Sequence, residues 1–316
     1  MPYTGNGTAI GIGEESTWGT AVSRTHWFRA VSESMKRTVT KSPRPVRAEA
    51  SGSRNRKSHY IASDMAGGSF EVLAGYEGFG LLLKHILGGT PATTGSSAPY
   101  THTYKLAASP PTGGLTIEVK RGNGTAEVFE GCRITKATFK IEAAGLMRVT
   151  CDVIAETSGG RTSAGTPSYT TDELDLIHHQ AGSVGWNSNL YVPRSVEITI
   201  DNKFATRQLL GSKLTKEPKP SDFLDVMIKL DLEWENDNLI SSLTADDAGD
   251  LTLSFTGLSS RTFTFTAHNA FLEDASDPIS GVGVVAQSAS FRAQSDGTDE
   301  GLAIVIENTQ SSAVAA

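Results

Sequence analysis

Met227-Ile228-Lys229-Leu230-Asp231-Leu232-Glu233-Trp234 alternates in character along its length, with Ile228, Leu230, Leu232 and Trp234 on one parity and Lys229, Asp231 and Glu233 on the other. Period two places successive side chains on opposite faces, so this stretch reads as a strand with one buried face. The same pattern recurs in Leu115-Thr116-Ile117-Glu118-Val119-Lys120, in Val196-Glu197-Ile198-Thr199-Ile200-Asp201 and in Thr262-Phe263-Thr264-Phe265-Thr266, and residues 302–306 form a short apolar run. Only two segments carry helical spacing. Residues 76–87 place Phe79, Leu82, Leu83 and Ile86 three and four apart, and residues 236–248 have Asn236 or Asp237 as N-cap and Gly249 just past the end. The expected class is mainly β with two short helices.

The composition bounds what this chain can be. At 316 residues it is about twice the common domain size, and 38% hydrophobic residues with 32 glycines is enough for a packed core. Disorder throughout is excluded on that ground. No stretch approaches the roughly 18 apolar residues of a membrane span. Residues 1–7 carry neither a basic nor an apolar signal region, so the expectation is folding in the cytosol.

The pattern also repeats. A strand at 68–74 leads into the first helix, followed by strands near 115 and 132 and a closing strand ending near Glu156. A strand at 225–234 leads into the second helix, followed by strands near 251, 262 and 284 and a closing strand ending near Asn308. Ala137-Thr138-Phe139-Lys140 matches Ala289-Ser290-Phe291-Arg292. The expected organisation is a first unit over 1–156 with a long basic loop at 36–57, a Ser/Thr/Gly-rich linker over 157–171, a second unit over 172–310 and a flexible tail over 311–316.

Charge is segregated within the net −7. Residues 36–57 hold Lys36, Arg37, Lys41, Arg44, Arg47, Arg54, Arg56 and Lys57 against Glu49 alone, whereas residues 222–307 hold sixteen acids against Lys229, Arg261 and Arg292. A basic loop beside an acidic body suits association with further copies of the same chain. The bland alternative is a solvated loop. Cys132 and Cys151 are expected on two strands joined by Glu142-Ala143-Ala144-Gly145. If 142 faces 145, Cys132 faces Ala155 and Cys151 faces Lys136, too far apart along the ladder for a disulfide.

Catalytic and cofactor chemistry find no support. There is no nucleophile elbow, and the seven histidines have no motif around them. His178 and His179 are adjacent, which in a strand sends them to opposite faces. Gly11-Ile12-Gly13 lacks the remainder of a dinucleotide fingerprint. Asp246, Asp247 and Asp250, like Glu273, Asp274 and Asp277, lack the order of a calcium loop and read as solvated charge. Arg54-Asn55-Arg56-Lys57 near His59 and Tyr60 would suit nucleic acid, but the acidic surroundings oppose a phosphate backbone. The expectation is no catalytic residue, no metal and no cofactor.

Gly11-Ile12-Gly13-Glu14-Glu15-Ser16-Thr17-Trp18-Gly19-Thr20-Ala21-Val22 resembles the opening of tail tube (major tail) proteins of long-tailed bacteriophages. Phe28-Arg29-Ala30-Val31-Ser32-Glu33-Ser34-Met35, the passage into the helix at 78–88, residues 193–202 and Leu209-Leu210-Gly211-Ser212 continue the likeness over nearly the whole chain. The resemblance implies two tandem tail-tube-like β-sandwich or barrel units, each with one short helix. It also implies a virion protein that self-assembles into stacked rings, through whose lumen DNA passes without specific binding. Three chains with pseudo-sixfold symmetry are the favoured ring and six the alternative. Tape measure, tail terminator and distal tail proteins are the implied partners, and no membrane is. An acidic lumen would offer phosphate no sticking points. The basic loop is expected to contact the adjacent ring through Lys41, Arg44, Arg47, Arg54, Arg56 and Lys57. A two-domain β-sandwich adhesin is the main alternative, and a hydrolase with a concealed site is a third.

Overall fold

Alternating segments in the first half build a closed ladder. In the computed structural model, which describes residues 5, 7–43, 58–122, 125–170, 176–245, 247–279, 282–295, 297 and 301–315, the chain opens with β1 (Ala9–Glu14), β2 (His26–Glu33), β3 (Lys36–Pro43) and β4 (His59–Leu73). After helix α1 (Gly80–Leu87) come β5 (Ala92–Thr94), β6 (Tyr100–Lys105), β7 (Leu115–Arg121), β8 (Thr125–Glu142) and β9 (Arg148–Ser163). Antiparallel pairing runs β2, β4, β9, β8, β7, β1, and β1 returns to β2. Closure of this kind leaves few unpaired edges.

The second half contains β10 (Gly182–Trp186), β11 (Asn189–Tyr191), β12 (Ser195–Asp201), β13 (Phe204–Arg207), β14 (Lys216–Pro220) and β15 (Asp225–Glu233). Helix α2 (Asn238–Ala245) follows, then β16 (Ala248–Thr256), β17 (Thr262–Ser276), β18 (Ala286–Arg292) and β19 (Leu302–Asn308). Here the pairing runs β12, β15, β18, β17, β16, β10, the same sequence of roles as β2, β4, β9, β8, β7, β1. β19 pairs with the first part of β17, as the distal part of β9 pairs with the first part of β8.

The halves share one sheet. β12 lies against β8 over seven positions, from Ser195 opposite Glu142 to Asp201 opposite Lys136, and β6 pairs with β19. A single row of partners therefore crosses the molecule: Val72, Val149, Phe139, Ile198, Ile228, Phe291 and Leu272. All seven are buried, within one apolar cluster spanning both halves. Asn202 closes the seam, its Nδ2 donating to the Ile86 and Ile134 carbonyls at 3.1 and 3.2 Å.

Several boundaries differ from the sequence expectation. α1 begins at Gly80 rather than Tyr76, because Gly78 adopts φ +71°, which no helix accommodates. α2 spans Asn238–Ala245, with Asn236 Oδ1 accepting the Asn238 N–H at 3.0 Å, and Gly249 belongs to β16 instead of ending the helix. Cys132 faces Ala155, but Cys151 faces Ala137 instead of Lys136. The turn is one residue wider than assumed, with Ala144 at φ +65°, and a bulge between Ile134 and Lys136 absorbs the difference. Both thiols are free and buried, which pushes their pKa values up. Residues 157–163, expected in a linker, are the distal part of β9. The matched tetrapeptides fall on β8 and β18, which occupy different places in the two pairing orders.

Candidate assembly surface

The shared sheet buries one face and exposes the other. Eight antiparallel strands, β2, β4, β9, β8, β12, β15, β18 and β17, lie side by side across the molecule. Alternation sends Phe70, Val149, Ala137, Ile200, Val226 and Ala289 inward, and Glu71, Arg148, Lys140, Glu197, Lys229 and Ser290 outward. With an even number of antiparallel strands, the two outermost strands run in opposite directions.

Both ends of this sheet carry strand that lacks a second neighbour among the described residues. Along 272–276, β17 has β18 on one side, while its β16 ladder stops at Phe271. β2 pairs with β4 from Ala30 to Glu33, while its β1 ladder stops at Arg29. Within the chain, the corresponding stretch of β8 is the one that accepts β12.

The outward face is polar and densely ion-paired. Arg148 reaches Glu71 at 3.0 Å, Lys140 reaches Glu142 at 2.7 Å, and Arg194 reaches Glu233 at 2.7 Å. Lys203 sits 2.7 Å from Asp201, and Arg292 bridges Asp225 and Glu273 at 3.0 and 2.9 Å. The Lys140 ammonium holds the Glu142 carboxyl below its ordinary value, and Glu142 in turn raises Lys140. Lys229 stands opposite Glu197, and Lys136 opposite Asp201.

One end of the sheet bears two hairpins side by side. β3 and the first part of β4 form one, with every β3 residue exposed except half-buried Ser42. Gly68, at φ +145°, lets β4 pass the corner after β2, where a Cβ would stand 2.6 Å from the Ser34 carbonyl oxygen. β13 and β14 form the other, tipped by exposed Leu209 and fully exposed Leu210. Asp64, 1% exposed, joins them: Arg37 binds it through two bonds of 2.7 and 2.6 Å, and Lys213 approaches to 3.5 Å. Arg37 holds the Asp64 carboxyl below its usual range. Arg133, buried in β8, donates to Glu217 of β14 at 2.7 Å and to the Pro111 carbonyl at 2.7 Å. At the opposite end of the sheet, Val192, Ile279, Val282 and Val284 are exposed.

Of the basic residues singled out in the sequence, Lys41 is exposed on β3 opposite Ile61. Arg44, Arg47, Arg54, Arg56 and Lys57 lie outside the described residues. Asp246 also lies outside the described residues. His178 and His179 are exposed, Asp250 accepts from the Asn269 N–H at 3.2 Å, and Glu273 is taken by Arg292. No cluster among the described residues could hold a metal ion. A cavity of about 780 Å³ opens between α1, the 202–226 segment and the end of β18, lined by Leu87, Pro110, Phe204 and Phe223 among others. Sequence reading missed the unpaired strand edges and the cross-strand ion pairs, since both depend on which strands become neighbours.

No curated protein matches this chain. A family model described as phage tail tube protein matches residues 5–293. This match covers far more than half of the 316 residues, including both ladders and their seam. The chain therefore belongs to the phage tail tube protein family, whose members are structural, non-enzymatic proteins of the virion tail.

Proposed function

We propose that this protein assembles into rings in which the eight-stranded sheet of one copy continues into that of the next, its outward face lining a lumen that conducts DNA during ejection. The carrying observation is the internal junction. β8 accepts β12 within the chain, and the corresponding stretches, residues 272–276 of β17 and 30–33 of β2, have no second neighbour among the described residues at the two ends of the sheet. Joining them repeats the internal seam between copies and preserves antiparallel alternation. Leu272, at one end of the buried row, then meets Ala30, which pairs with Val72 at the other.

The repeated pairing order supports reading the chain as two tube-like units, the first ending with β9 at Ser163 and the second over 172–310, joined through 164–171. Three chains then present six equivalent units, and this pseudo-sixfold trimer is preferred to a hexamer. Rings stack end to end. The basic segment 36–57, whose first eight residues form β3, is assigned to contact with the next ring through Lys41, Arg44, Arg47, Arg54, Arg56 and Lys57, and Asp231, Glu235 and Asp277 stand exposed at the end of the sheet opposite β3. Such charge complementarity sets register and assembly rate more than affinity. Tape measure, tail terminator and distal tail proteins are the remaining partners.

The test is a double variant, Ala30→Cys with Leu272→Cys. Opposed residues in an antiparallel ladder lie about 4.5–5.5 Å apart at Cα, within disulfide reach. Oxidation of assembled protein is expected to trap covalent trimers, with rings or tubes seen by negative-stain microscopy. Tubes that form without any cross-link refute this junction, and a strictly monomeric protein at high concentration refutes the ring.

A further inference from the structure

Resting on the lumen reading above, we infer that the outward face of the shared sheet is made inert toward duplex DNA by carboxylates that hold Lys140, Arg148, Arg194, Lys203 and Arg292 in ion pairs, while Lys136 and Lys229 stand opposite Asp201 and Glu197, so that bulk negative charge is a secondary factor. The face is far from uniformly acidic. It carries Lys136, Lys140, Arg148, Lys229 and Arg292, flanked by Arg194 and Lys203, enough positive charge to bind a phosphate backbone if free.

Three of these cations converge on one corner. Lys140 and Arg148 are cross-strand partners, and the Arg194 carbonyl accepts the N–H of Ala143 in the turn between their strands, at 2.8 Å. The trio has the composition of a phosphate-binding cluster. Each member is instead engaged by its own carboxylate, Lys140 by Glu142, Arg148 by Glu71 and Arg194 by Glu233. Ser32 adds a hydroxyl donor to Glu71 at 3.0 Å. Exposed pairs of this kind contribute little to stability. Their repetition across the face has a different use: a cation already holding a carboxylate has few condensed counterions to release from passing DNA, and a mobile polyanion gains little by stopping there.

The experiment compares duplex DNA binding by three proteins, each also carrying Lys41→Gln, Arg44→Gln, Arg47→Gln, Arg54→Gln, Arg56→Gln and Lys57→Gln so that the contribution of this segment is minimised and equal in all three. The first has no further change. The second adds Glu71→Gln, Glu142→Gln and Glu233→Gln, unmasking the corner. The third adds Glu235→Gln, Asp237→Asn and Asp277→Asn, removing equal charge from exposed carboxylates outside these pairs. The unmasked protein is expected to bind a short duplex at 50 mM salt and to lose about 40-fold in affinity by 200 mM, as three released phosphate contacts dictate. The other two should not bind. Equal binding by the third protein, or none by the second while it stays folded, overturns the inference. Because the readout is on the soluble subunit, it is independent of whether rings form, which microscopy reports separately.

Discussion

Replacing Phe139 by Ala removes a ring from the middle of the row that crosses both halves. Phe139 is 1% exposed, lies between Val149 and Ile198 in the sheet, and meets Phe265 edge to face with centroids 5.2 Å apart. Truncating a buried phenylalanine costs about 3–5 kcal/mol through lost transfer energy and the cavity left behind, of which about 0.5–1.5 kcal/mol belongs to the ring pair. With an unfolding entropy of about 2.1 cal/mol/K per residue, a loss of about 4 kcal/mol lowers the melting temperature by about 6 °C. Phe139 belongs to the first ladder and Phe265 to the second, so the effect should spread to both. Urea unfolding followed by tryptophan fluorescence and by far-UV circular dichroism, at concentrations that keep the subunit monomeric, should give one shifted transition with coincident curves. A cycle with Phe265→Ala should return a coupling of about 1 kcal/mol. A biphasic profile in which the second half keeps its midpoint, or a coupling near zero, would refute the shared core.

Two further outcomes follow from paired charges. Glu217→Gln should destabilise by about 3 kcal/mol because it strands the Arg133 guanidinium, which is fully buried, whereas Arg133→Met should cost clearly less; equal losses in denaturant titrations would argue against burial as the cause. Glu14 is held down to about 2 by a hydrogen bond from buried His85 and by the Lys84 ammonium at 2.6 Å. Its folded value lies below its unfolded one, so its stabilisation is complete above about pH 4.5 and is lost as pH falls toward 2. The stability gap between wild type and Glu14→Gln should therefore close across that window in urea midpoints, and a gap constant with pH would contradict it.

Much of the architecture was readable in local pattern. Alternation marks the strands at 115–120, 196–201 and 262–266, which the fold extends to 115–121, 195–201 and 262–276; spacing marks the first helix and capping residues the second, with errors at their ends because Gly78 adopts φ +71° and Gly249 belongs to strand β16. The repeat is visible as an order of elements, but the tetrapeptide match that adds local support joins β8 to β18, strands with different neighbours. Short apolar motifs of the Ala-x-Phe-x kind recur wherever a strand needs one buried face, so likeness of pattern does not establish equivalence of position. The assembly surface was partly legible: the segregation of charge was plain, whereas the unpaired edges at 30–33 and 272–276 were not.

The sequence by itself determined that the alternating segments are strands, which face of each is apolar, that two helices interrupt them, and that positive charge gathers in one segment while the body is acidic, but it read 36–43 as loop and 157–163 as linker where the fold has strand. These are properties of neighbours along the chain, and period two or 3.6 records them directly. Only the tertiary structure decided that β8 takes β12 as its partner, that Glu71 meets Arg148 and Glu233 meets Arg194, and that matching strand edges have no second neighbour among the described residues at both ends of one sheet. Alternation specifies a face and leaves the partner open. The partner is selected by burying that face with others distant in sequence, and the ion pairs and open edges follow from that selection.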